Sequence, residues 1–335
     1  MKKYLLYILA AVVLVGMYTP LQAQPTKFAQ AGMTFLKIDV GGRAAMGGTH
    51  LGTQGDVLSM FYNPAALSQI NRAQVAFSMA DWIAGIKHNA VAAAVRTEYG
   101  TFGIGAIWMD YGTFTRTIPV DFATSQDGYM TDGTFQVNEY AVNLTYAKQL
   151  TDRFYFGGSL KYASQNLGKV TIYDEVLNEE RDAKNSVSNV IIDVGTLFYP
   201  GFNDLRYGVA VRNFSNQSEY YDQRFELPLT FDFGVAMDLL TLWNDDARNP
   251  NKLTAAFDWV HPRDFKEVQH LGLEYSYQET LFLRGGYKFR YDEEGLTAGL
   301  GYQGGYNDND IKLEYVYSDF GLFDSVNRFT LGVAF

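Results

Sequence analysis

The sequence contains no cysteine. That excludes disulfides and every metal site built on thiolates. Histidine is scarce: His50, His88, His261 and His270 are the only four. No two of them stand in a His-x-x-x-His or His-Glu-x-x-His spacing, so there is no zinc motif. Basic charge is also short. Against 37 Asp and Glu there are 27 Lys and Arg, a formal net of −10. Nucleic-acid binding needs basic patches to meet phosphate, and this balance argues against it. Gly103-x-Gly105 lacks the third spaced glycine of a dinucleotide loop, and no Gly-Lys-Ser/Thr phosphate loop occurs. No catalytic constellation is legible, so no cofactor, no metal and no enzyme activity are expected. Beyond the N-terminus no run is apolar enough for a membrane helix, which takes about 20 residues.

What the sequence does have is aromatic residues and glycine: 24 Tyr, 24 Phe and 32 Gly in 335 residues. These favour many strands over many helices. The mean hydropathy of −0.14 resembles that of a soluble protein. A transmembrane barrel has the same average, because half of each strand faces a polar interior. The N-terminus reads as a signal peptide over residues 1–23. Lys2 and Lys3 precede an apolar core from Tyr4 to Met17, and Leu21-Gln22-Ala23 offers small-residue cleavage. No Cys follows, which excludes a lipoprotein.

From residue 73 onward the period is two. Strand side chains project alternately to opposite faces, so one apolar and one polar face appear as alternation. Leu296, Ala298, Leu300 and Tyr302 oppose Thr297, Gly299 and Gly301. Leu271, Leu273, Tyr275 and Tyr277 oppose His270, Glu274 and Ser276. Phe329, Leu331, Val333 and Phe335 share the face of the last strand. Segments 73–79, 87–97, 101–111 and 188–199 alternate more weakly. The total is about fourteen strands, an even number, as bacterial single-chain barrels have. A soluble sandwich would also alternate. Full charges in mid-strand, such as Asp258, Glu274 and Arg284, suit a wet lumen instead, and aromatic strand ends suit an interfacial girdle.

The expected architecture is therefore all-β: a transmembrane antiparallel barrel over residues 73–335, in a bacterial outer membrane and solvated by its lipid. With the N-terminus in the periplasm, the long connections 112–135, 166–187 and 214–226 all face outward. The turns at 98–100, 149–153, 200–204 and 278–280 are short, the usual asymmetry. The connection 240–251 is an exception. Residues 24–72 do not alternate, and they are expected to form a hatch or plug, because a barrel this wide needs filling.

That segment carries Phe35-Leu36-Lys37-Ile38, then Gly42-Arg43-Ala44-Ala45-Met46-Gly47-Gly48, then Phe61-Tyr62-Asn63-Pro64-Ala65-Ala66-Leu67. It resembles the PorV/PorQ family of FadL-like outer-membrane barrels, although its central motif is one residue tighter than the family's Gly-Arg-Ala-x-x-Met-Gly-Gly. The resemblance implies a fourteen-strand barrel with an N-terminal hatch. It also implies a component of the type IX secretion system that docks secretion-system proteins or the C-terminal domains of secreted cargo. The wider superfamily implies an alternative, transport of hydrophobic small molecules across the outer membrane.

The residues also have a physical reading of their own. Pro64 donates no backbone hydrogen bond and disfavours helix at Asn63, whose side chain can fix a turn. Gly47 and Gly48 permit conformations or close approach that a side chain would block, and Ala65 completes the aromatic-Asn-Pro-Ala box. Arg43 is expected to tether the hatch to a lumen acid such as Asp258 or Glu274, the bland alternative being a solvated Arg beside an ordinary turn. The acidic turns Asp245-Asp246 and Asn307-Asp308-Asn309-Asp310 lack a known calcium-loop pattern and read as solvated. Phe114, Phe122, Tyr129, Phe214, Tyr220 and Tyr221 fall in the long outer connections. Two readings stand for them: a partner-binding surface, or packing within the loops.

Overall fold

The computed structural model describes residues 31–53, 55–174, 179–220, 223–242, 249–307 and 309–335. The expected signal peptide, Tyr221, the Asp245-Asp246 turn and Asp308 lie outside the described residues. Eighteen strands follow in order: β1 (Ala73–Asp81), β2 (Lys87–Thr97), β3 (Gly100–Asp110), β4 (Phe114–Pro119), β5 (Tyr129–Phe135), β6 (Asn138–Thr151), β7 (Phe154–Asp174), β8 (Glu179–Phe198), β9 (Arg206–Ser215), β10 (Ser218–Tyr220), β11 (Gln223–Phe225), β12 (Thr230–Asp238), β13 (Lys252–Pro262), β14 (Val268–Tyr277), β15 (Leu281–Phe289), β16 (Leu296–Tyr306), β17 (Asn309–Asp319) and β18 (Ser325–Ala334).

All but β4, β5, β10 and β11 join one closed antiparallel barrel of fourteen strands. Each barrel strand pairs with its neighbour in the chain, and the ring closes where β1 meets β18, from Gln74↔Ala334 to Asp81↔Asn327. Closure leaves no free sheet edge, the condition for strands to cross a bilayer with every backbone group satisfied. The outward face is apolar around the ring: Phe77, Leu144, Leu160, Val190, Phe231, Leu283, Leu300 and Leu331 are all exposed. Exposed apolar surface on this scale has no place in water and fits hydrocarbon.

Two of the expected long loops contain strands instead. Segment 112–135 holds the β4–β5 hairpin, and 214–226 holds β10–β11. Within 166–187, β7 and β8 keep pairing past a bulge as far as Asp174↔Glu179. Beyond the bilayer both faces of a hairpin meet water, so alternation vanishes while the backbone ladder continues. Phe214, expected in a loop, sits at the outer end of β9, paired with Ile192 on the exposed wall.

The inward face divides into two halves. On β1, β2, β3 and β6–β8 it is mostly small or apolar, with Ala76, Ala90, Ala92, Ala94, Ala141 and Ala163 all buried, apart from the Lys161–Asp193 pair at 2.7 Å between β7 and β8. On β9 and β12–β18 it carries ion pairs: Arg212 to Asp232 at 2.6 Å, Arg284 to Glu274 at 2.6 Å and to Glu314 at 2.7 Å. The described N-terminal residues, from position 31 up to β1, run inside the ring as four short 3₁₀ turns: Thr34–Lys37, Gly42–Met46, Val57–Phe61 and Pro64–Gln69. Their apolar side chains Phe35, Leu36, Val40, Met60, Phe61 and Leu67 pack on the alanine half in one buried cluster.

Candidate functional site

The N-terminal segment divides the bore into two chambers. One opens at the long-loop end and holds about 430 Å³. Its walls include Trp82, Ile83, Pro262, Phe265, Val268 and Phe320, with Asp39, Arg212, Lys288 and Arg328 deeper down. The other opens at the short-turn end and holds about 850 Å³. It is lined by polar groups, among them Gln69, Asn71, Gln74, Arg206, Lys252 and Glu274.

The fit of the segment to the wall depends on inward glycines. A Cβ on Gly286 would stand 2.0 Å from the Gly47 nitrogen, and one on Gly208 would stand 1.9 Å from the Leu51 carbonyl oxygen. Backbone therefore rests on backbone there, which any side chain would prevent.

Polar anchors complete the seat. The Asp258 carboxylate accepts from the backbone N–H of His50 at 2.6 Å and of Leu51 at 3.1 Å. The Thr297 hydroxyl accepts from Gly47 N–H at 2.9 Å and donates to the Ala45 carbonyl at 2.9 Å. The Tyr62 hydroxyl accepts from the N–H of Val40 and donates to its carbonyl. His50 stacks on Tyr62 with ring centroids 3.4 Å apart. Each bond satisfies a group that burial would otherwise leave unpaired, at a cost of about 1–3 kcal/mol apiece.

The motif residues converge on these contacts. Gly47 and Gly48 have φ of +65° and +78°, in the left-handed region. The Asn63 Oδ1 accepts from Ala65 N–H at 3.2 Å, capping the turn that Pro64 opens. Its Nδ2 donates to Leu51 O at 2.9 Å and to Thr196 O at 3.0 Å, so one buried amide joins segment to segment and segment to wall. Ala65 is fully buried. Arg43 does not reach Asp258 or Glu274. It meets Asp56 of its own segment at 3.6 Å, because Asp258 is taken by backbone donors and Glu274 by Arg284. The link to the wall runs on from Asp56 to Lys312 at 3.9 Å and from Lys312 to Glu314 at 2.9 Å.

Electrostatics favour the seated arrangement. Burial raises the Asp39 carboxyl, but Lys288, His50, Arg328 and His270 outweigh it and hold it well below the usual carboxylate range. Lys288 bonds it directly at 2.8 Å. Burial drives His50 well below the ordinary histidine value despite Asp39, and burial raises the Tyr62 phenol. His50 and Tyr62 are therefore neutral at pH 7, which suits their stacking.

Among the outer aromatics, Phe114, Phe122 and Tyr129 are exposed on the β4–β5 hairpin, with Phe114 stacked on Phe135 at 5.3 Å. Tyr220 instead stacks on Phe225 at 5.2 Å and donates to the Gln165 side chain at 2.8 Å. Sequence reasoning picked out Asp258 as an acid that holds the segment, but through Arg43 rather than through backbone N–H groups; it missed the roles of Tyr62, Thr297, Arg328 and the seat glycines. Of these, Arg328 carried a signal, as a full charge in mid-strand.

No family model and no curated protein sequence matches the chain. Solved structures do match in fold. The Ralstonia pickettii toluene transporter TbuX superposes with a TM-score of 0.55 at 14% identity, covering 87% of this chain and 96% of that one. The Pseudomonas putida toluene transporter TodX gives 0.53 at 12% identity, covering 92% and 98%. A Pseudomonas aeruginosa FadL homologue gives 0.52 at 12% identity, covering 89% and 98%. The fold is thus that of the FadL-like outer-membrane barrels.

Proposed function

We propose that this protein is a gated outer-membrane channel for small hydrophobic molecules, with its N-terminal segment as a movable hatch. The observation that carries the reading is the outer chamber: apolar at its rim, and floored by a discrete segment that lies between it and the polar inner chamber. Likeness in fold to two toluene transporters supports it. A solute would partition into the rim, and a shift of the segment would join the chambers.

The absence of native cysteine makes the test direct. The Cβ that Gly299 lacks would sit 2.5 Å from that of Ala45. A relaxation of about 1–2 Å brings an A45C/G299C pair to disulfide separation. In a Gram-negative host lacking its own hydrophobic-compound channels, expression should raise the initial rate of labelled toluene uptake several-fold. The oxidised pair should return it to the vector level, and reductant should restore it. Uptake that ignores expression would contradict the reading.

One observation favours a second reading, the PorV/PorQ-like docking role. The exposed Phe114, Phe122 and Tyr129 sit on a hairpin outside the barrel ring, where a secreted partner could dock. In that case a deletion strain would strand type IX cargo in the periplasm, and normal surface display without a compensating paralogue would refute it.

A further inference from the structure

An ion pair is buried in the alanine half of the wall. Lys161 on β7 lies 2.7 Å from Asp193 on β8, and its Nζ also donates to the Asn213 Oδ1 on β9 at 2.9 Å. Lys161, Asp193 and Asn213 are 4%, 0% and 1% exposed. Asn213 stands at a bulge. Ile192 pairs with Phe214 and Val194 with Val211, so Arg212 and Asn213 together oppose Asp193. Asn213 has φ of +61°, in the left-handed region, and both it and Arg212 are buried. A bulge of this kind re-aims a side chain. Here it sends the Asn213 amide inward, to the amine.

The amide is fixed in one orientation. Its Oδ1 accepts from Lys161, and its Nδ2 donates to the Pro228 carbonyl at 3.2 Å. Asp193 touches both reactants: Oδ2 faces the amine, and Oδ1 accepts from the Asn213 backbone N–H at 2.8 Å. With a C=O bond of about 1.23 Å and the usual lone-pair direction of the hydrogen bond, the amine stands roughly 3.7 Å from Cγ. Near-attack contacts are about 3–3.5 Å, so a small shift brings nucleophile and carbonyl carbon together. Neighbouring groups do not interfere. Arg212 is held by Asp232 at 2.6 Å. Asn143 faces Lys161 across the ladder, but the Lys161 hydrogen bond goes to Asn213. Amine, amide and proton carrier, all shielded from water, are the groups that amide exchange within one chain requires.

We propose that Lys161 and Asn213 join in a self-catalysed isopeptide bond, with Asp193 as the proton carrier. Across the 2.7 Å contact the ammonium gives one proton to Asp193, leaving a neutral amine and a neutral acid. The Nζ lone pair then forms a bond to Cγ, and the C=O pair moves onto Oδ1. One Nζ proton passes through Asp193 to Nδ2, the C=O re-forms, and the Cγ–Nδ2 bond breaks to release ammonia. An amine and a primary amide become a secondary amide and ammonia, with no oxidant, reductant or cofactor. The reaction occurs once per chain and is not a turnover. It replaces a buried ion pair, whose desolvation is costly, with a neutral amide that ties β7 to β9 across β8. The proposal goes beyond the channel reading and does not depend on it.

Tryptic peptide mapping of the wild-type protein, extracted from outer membranes in detergent, tests it. Most molecules should yield a branched pair joining Lys161 to Asn213, lighter by one ammonia than the two peptides together. Linked peptides are read rather than intact mass, because any amide that loses ammonia alone changes the intact mass equally. K161R keeps the charge but removes the amine, and should give no linked pair. D193N should lower the linked fraction by roughly tenfold or more. Heat-modifiable gel mobility verifies that each variant is folded; if a variant fails that check, the wild-type map decides. Lys161 and Asn213 on separate peptides in the folded wild type would overturn the proposal. So would a pair lighter by one water and joined at Asp193, a pair joined at Asn143, or D193N linked as fully as the wild type.

Discussion

Single residues decide how tightly the N-terminal segment is seated. G286V would push a side chain to within about 2 Å of the Gly47 nitrogen. Overpacking of this kind costs about 1–3 kcal/mol. Because Gly286 lies in the wall and the clash is with the segment, the expected outcome is a displaced segment inside an intact barrel. Heat-modifiable mobility should be unchanged while single-channel conductance rises. D258A removes the shared acceptor of two backbone N–H groups. At about 1–3 kcal/mol for an unsatisfied donor, hydrogen exchange at His50 and Leu51 should speed up by roughly 10- to 100-fold. Exchange unchanged in D258A would mean that the carboxylate does not hold the segment. These residues explain why the seat was hidden in the sequence. An inward glycine on a strand looks like a weak strand residue until a second backbone is seen against it, and a lumen Asp expected to meet an Arg turns out to accept from backbone N–H groups.

At the scale of the element, the segment and the strands around it account for what the sequence left indistinct. Segments 73–79, 87–97, 101–111 and 188–199 alternate weakly because they belong to the wall that the segment's apolar side chains cover. In β2, Ala90, Ala92 and Ala94 face inward and are buried, while Val91 and Val95 face outward and are exposed. Both faces are apolar, so the period-two signal fades although the strand is regular. In β16 the inward residues are Thr and Gly, and the alternation is plain.

The same element is expected to respond to pH. His50 has its folded value pushed well below the ordinary value of about 6.5. The seated state resists its protonation, so the stabilisation is complete above about pH 6.5 and is lost as pH falls below it. Asp39, Arg43, Arg212 and His270 face it, and Asp39 stays ionised throughout this window. Channel opening in planar bilayers should rise several-fold from pH 7.5 to pH 5, and H50N should flatten the response. An identical pH profile in H50N would rule out this histidine as the sensor.

For the whole molecule, strand number, antiparallel order and closure were legible, because lipid and lumen impose opposite polarity on alternate residues. Loop parity was legible for the same reason: short turns gather at one end. Outside the bilayer the rule lapses, so the extensions of β7 and β8 and the β4–β5 hairpin were read as loops. The content of the bore was harder to foresee, since its contacts join residues far apart in sequence, as with Gly47 and Thr297. The motif around Gly42–Gly48 and Asn63-Pro64-Ala65 marked the segment but not the partners of its residues, and Arg43 was assigned to the wrong acids. At this scale the central claim is that one face of every barrel strand meets hydrocarbon and the other an enclosed bore. Single cysteines from 296 to 302 on β16, spin-labelled in a chain that has no other cysteine, test it most directly. The labels at 296, 298, 300 and 302 should be accessible to oxygen dissolved in the bilayer, and those at 297, 299 and 301 should be shielded from it. Accessibility without this two-residue period, or water-soluble relaxant reaching 298 and 300, would contradict the account.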